Sequence, residues 1–472
     1  MPARRTQFAP QSTHGELAVA LAALRTEFSV PNGFPEAATA EAAAATPVVP
    51  ELDLRDIPFV TLDPPGSRDL DQAFHIARAG SGWLVRYAIA DVPGYVAPEG
   101  PLDAAARDRG QTLYLPDGTV PLHPRVLSEG RASLLPGEDR SARVWTIRLD
   151  ASGAVGDTRL ERALIRSRAQ LDYPGAQRAL DAGTAAEPLS LLPEVGRLRQ
   201  AQERLRGGAS LNMPEERIIE SAAGYRIERR FPLPVEEWNA QLSLLTGIVA
   251  GELMLAGGVG ILRTMPSPAP EALREFRGRV AALGDPWDPE LSYGEYLHRL
   301  SPDAPHTPAV LQAAAALFRG ADYAAFDGVS PEETHQAAIA APYAHVTAPL
   351  RRLVDRWGLV VCSALSAGTP VPEWVRASLP ELPRLMQASN QRASQLSSAA
   401  IDRVEAALLR DRVGERLEAV VIEVRGTRAR VQVVDPPVTT QCPADGLTVG
   451  TMATVRVVSA TITTGTVELV AD

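Results

Sequence analysis

The feature that most constrains the fold is the order in which strand-like and helix-like segments follow one another. From residue 57 the sequence predicts a sheet: IPFVTLD (57–63) predicts a strand, and GWLVRYAIADV (82–92) carries apolar residues at alternate positions. Between about 185 and 410 the apolar residues recur mostly at helical intervals, as in the long stretch from Ala348 to Leu365. We therefore expect a multidomain α+β protein in which helices surround a mixed sheet.

The last sixty residues or so, 411–472, return to short strands. Turn residues separate five strand-like stretches, LEAVVIEV, RARVQVVD, TTQCPAD, ATVRVVSA and TVELVAD. Five strands in so short a length predict an all-β barrel of the OB-fold type. No aromatic residue follows Trp374, so we expect such a barrel to contact nucleic acid through arginines such as Arg425, Arg428 and Arg430.

The first fifty residues, 1–50, predict a small helical region. PEAATAEAAAATPVVPEL (35–52) is rich in Ala and Pro, which suits either a second short helix or a linker. Our hypothesis for this region is a helix-turn-helix-like unit. An amphipathic helix is indicated by apolar residues at helical spacing, namely Leu17, Leu21, Leu24 and Phe28.

The basic residues are all arginine, because the 472-residue sequence contains no lysine among its 47 basic residues. A GxxxxGK[ST] phosphate loop, a Schiff-base lysine and a lysine nucleophile are therefore excluded. Heavy use of Arg, Ala, Gly and Pro is most simply explained by genome composition, although arginine also suits bidentate phosphate contact. The formal charge of −10 argues against a nucleic-acid partner but does not describe local patches.

Neither a disulfide framework nor a membrane span is predicted. Cys362 and Cys442 are far apart and form no CxxC motif, which suits a reducing, cytoplasmic setting. The N-terminal residues lack the apolar core of a signal peptide. The apolar stretch 244–262 has membrane-spanning length, but Glu252 and five glycines favour a buried core helix followed by a turn. We expect a cytoplasmic monomer with no membrane association.

Three aspartates lie within nine residues in TLDPPGSRDLDQAF (61–74). Asp63 ends a predicted strand, the Pro-Pro-Gly-Ser turn reverses the chain, and Asp69 and Asp71 share one face of an extended segment. Carboxylates held close together raise one another's pKa unless a cation neutralises them. Oxygen ligands of this kind favour magnesium or manganese over zinc.

Two simpler interpretations of this acidic cluster are a calcium-binding loop and a solvated turn. A calcium-binding EF-hand loop that starts at Asp63 fails, because Pro65 occupies its third position, Gly66 its fourth and Phe74 its twelfth. A solvated acidic turn is the default interpretation of an isolated Asp-x-Asp pair. The remainder of the chain decides between that default and a metal site.

Four blocks between residues 61 and 357 resemble the ribonuclease II / ribonuclease R family of exoribonucleases. They are TLDPPGSRDLDQAF, YAIADVPGYV, the stretch from LDAAARDRGQTLYLPDG to LLPGEDR, and YAHVTAPLRRLVDRW. The resemblance implies an RNB catalytic domain over residues 51–410. It also implies processive, magnesium-dependent 3′-to-5′ hydrolysis of single-stranded RNA to nucleoside 5′-monophosphates, with manganese as a second candidate ion. The partner implied is the 3′ end of single-stranded RNA. Two cold-shock domains that usually precede this domain have no counterpart in residues 1–50.

The resemblance assigns metal-binding and catalytic roles to the aspartates. Asp63, Asp69 and Asp71 match three of the four family aspartates, and Gln72 stands at the position of the fourth. Gln72 offers a carbonyl oxygen without charge, so we expect weaker or differently placed metal binding. Asp71 is then the most important remaining ligand.

The resemblance also assigns substrate contacts. Arg351 matches a phosphate clamp, which would stabilise charge that develops in the transition state. The alternative for Arg351 is an ion pair with Asp355, a structural role that Arg352 suits as well, and Arg352 is a weaker substrate-binding candidate. Tyr114 matches a tyrosine that stacks on the terminal base, and Tyr173 is a weaker candidate for that role.

Several positions depart from the family pattern and motivate a rival function. Leu211 replaces an expected stacking aromatic, Asn239 and Gln241 stand where an acidic pair is common, and Ser397 stands where a glutamate is common. With Gln72, these changes suit a non-catalytic RNA-binding factor that retains the RNB fold. A third possibility is an unrelated metal phosphohydrolase that cleaves small phosphomonoesters.

Overall fold

A computed structural model describes residues 6–8, 15–209, 215–221, 224–301, 304 and 307–472. The strands of these residues are β1 (Thr6–Phe8), β2 (Leu52–Asp53), β3 (Phe59–Asp63), β4 (Gln72–Ala79), β5 (Gly82–Ala90), β6 (Leu113–Leu115), β7 (Gly118–Val120), β8 (Asp139–Leu149), β9 (Val155–Asp172), β10 (Glu215–Ser221), β11 (Gly224–Arg230), β12 (Val259–Thr264), β13 (Asp322–Asp327), β14 (His335–Gln336), β15 (Ala341–Pro342), β16 (Arg416–Arg425), β17 (Arg428–Val433), β18 (Thr439–Pro443), β19 (Met452–Thr461) and β20 (Thr466–Ala471). The α-helices are α1 (Glu16–Glu27), α2 (Glu36–Ala44), α3 (Val92–Tyr95), α4 (Pro101–Arg109), α5 (Tyr173–Asp181), α6 (Leu192–Arg206), α7 (Pro234–Gly257), α8 (Pro270–Ala282), α9 (Tyr293–Arg299), α10 (Thr307–Ala315), α11 (Leu353–Ala367), α12 (Glu373–Ser378) and α13 (Leu382–Arg410).

The central sheet is mixed and closes on itself. Its strand order is β2-β9-β3-β4-β5-β8, and β9 pairs with both β3 and β8. The N-terminal part of the long strand β9 runs antiparallel to β8, and its C-terminal part runs parallel to β3. The predicted mixed sheet is confirmed, and both of its faces carry buried apolar residues. The large core that the sheet shares with the helices includes the residues predicted to share one face of β5, namely Trp83, Val85, Tyr87 and Ile89.

Helix α7 is the apolar segment of membrane-spanning length. By length and composition it is long and apolar enough to cross a membrane, but 56% of its most apolar window is buried inside the protein. Leu242, Leu245 and Val249 pack into the same apolar core as the barrel strands. A left-handed Gly258 ends the helix, and strand β12 follows it. The interpretation as a core helix followed by a turn therefore fits the structure.

The C-terminal residues form the predicted small barrel. The five strands are ordered β18-β17-β16-β19-β20, all neighbours antiparallel, and the edge strands β18 and β20 lie next to each other. The sheet therefore nearly closes. Helix α13 packs against β19 and β20, and its apolar residues share one cluster with the barrel interior.

The two N-terminal helices pack on different parts of the protein. Helix α1 packs on α13 and buries Leu17, Leu21 and Leu24, as the spacing of these leucines predicts. Helix α2 packs on α4, and Ala42 belongs to a different apolar cluster. The two helices therefore bury their apolar faces separately, and the helix-turn-helix-like unit stays a prediction. The domain boundaries at residues 50 and 410 stay predictions.

One predicted helix begins later than its pattern suggests. The helical pattern over 348–365 corresponds to α11, which begins at Leu353. Residues 349–351 form a turn instead, and the N–H of Ala348 donates to Oδ1 of Asp355 at 2.6 Å. Pro349 explains part of this difference, since the residue before a proline is disfavoured in helical conformation. Arg351 consequently lies in a turn rather than within a helix.

Candidate active site

The acidic segment is positioned by a tight turn between two barrel strands. Asp63 is the last residue of β3, and the N–H of Ser67 donates to the carbonyl of Pro64 at 3.2 Å. Gly66 has a φ of 82°, a conformation that a side chain would strain at this position of the turn. The chain then passes through Asp69 and Asp71 into β4, which runs antiparallel to β3. Both carboxylates thus return to the end of the barrel where Asp63 lies.

Asp71 is held beside the Arg351 turn. Its side chain accepts a hydrogen bond at Oδ1 from the N–H of Leu350 at 2.8 Å, and Nε of Arg351 lies 3.4 Å from Oδ2. Asp71 is only 5% exposed. Burial raises the pKa of Asp71 to about 8, although Arg351 and the Leu350 N–H act in the opposite direction. The carboxyl therefore resists ionisation unless a cation lies nearby.

Asp63 and Asp69 are electrostatically coupled. Burial, and secondly the charge of Asp69, raise the pKa of Asp63 to about 7, whereas Arg351 lowers it. Burial likewise raises the pKa of Asp69. Among the described residues, Oδ2 of Asp63 is buried without a hydrogen-bond partner. These two carboxylates and Asp71 thus form an acidic site whose charge Arg351 partly offsets.

The ligand atoms of the acidic site are of the kind that bind a divalent cation, but the side chains do not lie close enough together to form a complete metal site. Its donors are all oxygens, and the unpartnered Oδ2 of Asp63 is available to a ligand. Within the described part of the chain, however, no three His, Cys, Asp or Glu side chains are arranged closely enough to hold a metal ion. The sequence predicted three converging carboxylates. The structure brings them to one site, with Asp71 turned to Arg351 instead of to a shared centre.

Gln72 takes part in a hydrogen-bond network instead of facing an open site. Its Nε2 donates to the carbonyl of Thr347 at 2.6 Å, and its Oε1 accepts from the hydroxyl of Tyr87 at 2.8 Å. Tyr87 also contacts the hydroxyl of Ser243 at 2.9 Å. The amide therefore connects barrel strands β4 and β5 to the segment that leads to Arg351. The weak metal-ligand role predicted for Gln72 would have to share Oε1 with Tyr87.

The two neighbouring arginines have different surroundings. Nε and an amino group of Arg352 donate to the two oxygens of buried Asp355, each at 2.9 Å. This is the structural ion pair that was the alternative for Arg351. The Arg351 side chain is 33% exposed, and its guanidinium reaches the acidic site through Asp71. Arg351 is thus the arginine of this pair placed to meet an anionic ligand at the carboxylates.

The tyrosines predicted to bind substrate lie near the same site. Tyr114 is 50% exposed on β6, two residues after Thr112, whose N–H donates to the carbonyl of Arg351 at 2.9 Å. Tyr173 directly follows Asp172, the β9 residue that pairs with Asp63. Burial, and secondly the charge of Asp63, raise the pKa of Tyr173 to about 12. The exposed ring of Tyr114 is the better platform for stacking.

Other predicted positions are placed only in part. Asn239 on α7 donates to the carbonyl of Leu62, one residue before Asp63, so it borders the acidic site. Gln241 donates to Glu203 and supports the packing of α7 on α6. Leu211 lies outside the described residues. Thr347 and Leu350 also contribute to the site, and the sequence did not predict them because they act through backbone groups.

Comparison with known proteins places this site in a family. The model of the RNB domain matches residues 51–361, which include every carboxylate and arginine of the candidate site. The chain belongs to the RNB-domain family. In addition, the model of the RNase II-type exonuclease C-terminal S1 domain matches residues 415–472, the small barrel. Both the predicted family and the predicted fold class are thereby confirmed.

Individual relatives agree with this assignment to the RNB-domain family. Ribonuclease R of Escherichia coli (strain K12) is 30% identical over 444 residues, covering 86% of this chain and 53% of that protein. The chain thus spans about half the length of the curated relatives it matches. The structure of Mycoplasma genitalium RNase R in complex with ribose methylated single-stranded RNA matches with a TM-score of 0.86 at 18% identity, covering 97% of this chain and 78% of that one. Yeast Ssd1, described as a pseudonuclease, matches with a TM-score of 0.69 at 17% identity, covering 87% of this chain and 53% of that one.

Proposed function

We propose that this RNB-family protein is an exoribonuclease that hydrolyses single-stranded RNA processively from the 3′ end and releases nucleoside 5′-monophosphates. The observation that carries the proposal is the contact of Arg351 with Asp71 at the acidic site, at 3.4 Å. A carboxylate cluster and a guanidinium together suit a phosphodiester, because one side activates water and the other stabilises developing negative charge. The proposal also draws support from the similarity to Ribonuclease R.

Each side chain has a distinct part in the proposed reaction. Arg351 would bind the scissile phosphate, and the exposed ring of Tyr114 would stack on the terminal base without regard to its sequence. Asp63, Asp69 and Asp71 would hold the magnesium ion that the family implies, with manganese as a substitute. When bound, such an ion acts as a Lewis acid and lowers the pKa of water. Burial raises the pKa values of the Asp63 and Asp71 carboxyls, and a bound cation would oppose that shift.

Incubation with 5′-labelled single-stranded RNA tests this proposal. With magnesium, we expect a very short labelled end product to accumulate without ladder intermediates from processive turnover, and chelator should abolish it. Asp71→Asn should remove the activity because the ligand loses its charge, whereas Asp157→Asn, a change of an exposed strand residue, serves as the matched control. Release of a labelled mononucleotide as the first product would indicate the opposite polarity and contradict the proposal.

A second candidate function is a non-catalytic RNA-binding factor. It is favoured by one observation, that both ends of the Gln72 amide are engaged within the protein where the family pattern has a carboxylate. RNA that is bound but remains intact across magnesium and manganese concentrations would support this function. Cleavage of small phosphomonoesters without RNA would instead support an unrelated phosphohydrolase.

The cellular setting belongs to the proposal as well. We expect the protein to act in the cytoplasm as a monomer on the 3′ ends of single-stranded RNA, without membrane association. Sedimentation of the purified protein alone and with RNA checks the monomer, since a second copy would double the mass.

A further inference from the structure

The residues before Tyr114 are tied to the backbone of the Arg351 turn. The N–H of Thr112 donates to the carbonyl of Arg351 at 2.9 Å, and the N–H of Leu353 donates to the carbonyl of Gly110 at 3.0 Å. Gln111 and Arg352 form a β-bridge between these two bonds. The strand-like segment 110–112 therefore joins the hairpin β6–β7 to the Arg351 turn.

The outer end of the same hairpin is held by helix α1. Arg25, in the last turn of α1, donates two hydrogen bonds to the two oxygens of Asp117, at 2.6 and 2.9 Å. Asp117 lies in the two-residue turn between β6 and β7. The Arg25 side chain is 30% exposed and that of Asp117 is 19% exposed. A bidentate, partly shielded pair is the type of surface ion pair that holds a fixed geometry.

The segment after α1 makes a third contact, at the base of the hairpin. The guanidinium of Arg109 lies 3.8 Å from the ring centroid of Phe34, and it also donates to the carbonyl of Gly33. Arg109 is the last residue of α4, directly before the segment 110–112. The N-terminal residues thus contact both ends of the element that carries Tyr114.

Apolar packing lies beneath these polar contacts. Leu113 and Leu115 flank Tyr114 on β6 and are buried, whereas Tyr114 is exposed. The two leucines belong to the same apolar cluster as Leu17, Leu21 and Leu24 of α1. One face of β6 is therefore buried in a core that α1 helps to form, and this burial turns Tyr114 outward.

We propose that two contacts, of Arg25 with Asp117 and of the 33–34 segment with Arg109, here called the N-terminal brace, position Tyr114 relative to Arg351 for the 3′-terminal nucleotide. The inference rests on the proposed function, because it assigns a task to the residues that meet RNA there. Arg25 and Asp117 are positioning residues that act through Tyr114. The brace fixes the distance between the ring that stacks on the base and the guanidinium that binds the phosphate.

A matched pair of variants on one helix tests the brace. Arg25→Ala breaks the contact with Asp117, and Glu27→Ala breaks an ion pair of the same helix with Arg403 on α13, at 2.8 Å. Both changes introduce alanine near the end of α1, so their effects on helix propensity are similar. The double variant Arg25→Asp with Asp117→Arg reverses the pair and tests for rescue.

Stacking on the terminal base is measured from the fluorescence quenching of 2-aminopurine placed at the 3′ end of a single-stranded RNA. The measurement is made in chelator, so that the RNA is not hydrolysed. KM and kcat with magnesium and the thermal midpoint are measured in parallel on the full-length chain. We expect Arg25→Ala to weaken the quenching and to raise KM about threefold to fivefold, the factor for a partly shielded ion pair, with kcat changed less than about twofold. The reversed pair should restore most of the quenching, and Glu27→Ala should lower only the thermal midpoint.

The outcomes separate the brace from the proposed function. If Arg25→Ala and Glu27→Ala affect quenching and KM equally, or if the reversed pair restores nothing, the ion pair is only structural and the inference is wrong. Equal quenching by the wild type and Tyr114→Ala would also overturn it, because the brace would then have no ring to position. If the wild type quenches 2-aminopurine more than Arg25→Ala does but releases no nucleotide, the exoribonuclease proposal is contradicted and the brace is still supported.

Discussion

Replacing Asp71 by asparagine should stabilise the metal-free protein. The carboxyl of Asp71 has a folded pKa of about 8, against an ordinary value of 3.8, because burial penalises its charge. Between these two values the folded state binds more protons than the unfolded state, so stability falls as pH rises through this range. Asparagine cannot ionise in the unfolded state, and its side-chain oxygen can still accept from the N–H of Leu350.

The size of this effect follows from the same pKa. The ordinary pKa of 3.8 lies about 3 units below pH 7, and each unit corresponds to about 1.4 kcal/mol. Keeping Asp71 protonated in the folded wild type at pH 7 therefore lowers the free energy of unfolding by at most about 4 kcal/mol. The amide NH2 of asparagine would replace Oδ2 opposite Nε of Arg351, which leaves that donor without its acceptor and offsets about 2 kcal/mol, so we expect a net stabilisation of about 2 kcal/mol at pH 7. At pH 5 the penalty is only about 1.6 kcal/mol, and the variant should then be no more stable than the wild type.

Thermal melting in chelator at pH 5, 7 and 8 measures the effect. We expect the midpoint of Asp71→Asn to exceed that of the wild type by a few degrees at pH 7 and 8 but not at pH 5. Asp157→Asn, on the exposed part of β9, is the control and should show no such trend. An Asp71→Asn protein that is less stable by the same amount at every pH would refute the reasoning, since the carboxylate would then be a stabilising partner of Arg351.

Three further predictions concern the same site. Arg351→Lys should lower kcat about a hundredfold with little change in the melting midpoint. Arg352→Lys should mainly lower the melting midpoint, because Asp355 loses a bidentate partner. Single-turnover kinetics and thermal melting of both variants check this, and the reverse pattern would contradict the roles assigned to the two arginines. Gln72→Asp should tighten magnesium binding in calorimetry but lower the melting midpoint, because a carboxylate would face the carbonyl of Thr347; an unchanged affinity would exclude this position as a ligand. Magnesium affinity of the wild type should rise as pH increases from 6 to 8, because the carboxyls of Asp63 and Asp71, with pKa values of about 7 and 8, must lose protons to bind; a flat profile in calorimetry would argue against both as ligands.

The local features of the fold could be predicted from the sequence. Period-two alternation predicted the buried face of β5, and the Pro-Pro-Gly-Ser turn after β3 predicted where the chain reverses. The short strands after residue 411 predicted the C-terminal barrel. Each of these signals comes from residues that are close together in the sequence, so no knowledge of distant contacts is needed to recognise it.

The long-range features could not be predicted in this way. Closure of the central barrel depends on β9 pairing with two different strands, and nothing in its own sequence names those partners. Gln72 bonds to Thr347, 275 positions later, and Arg25 bonds to Asp117, 92 positions later. The family pattern predicted roles for Asp71 and Arg351, but it did not predict the contact between them.

The most direct test of the central claim is the identity of the first product released from the 3′ end. Purified protein is given single-stranded RNA with magnesium, and the released material is analysed by mass spectrometry for the wild type, Asp71→Asn and Arg351→Ala. We predict nucleoside 5′-monophosphates from the wild type and none above background from either variant. Intact RNA with the wild type, or equal release by all three proteins, would contradict the assignment of Asp71 and Arg351 to hydrolysis of RNA.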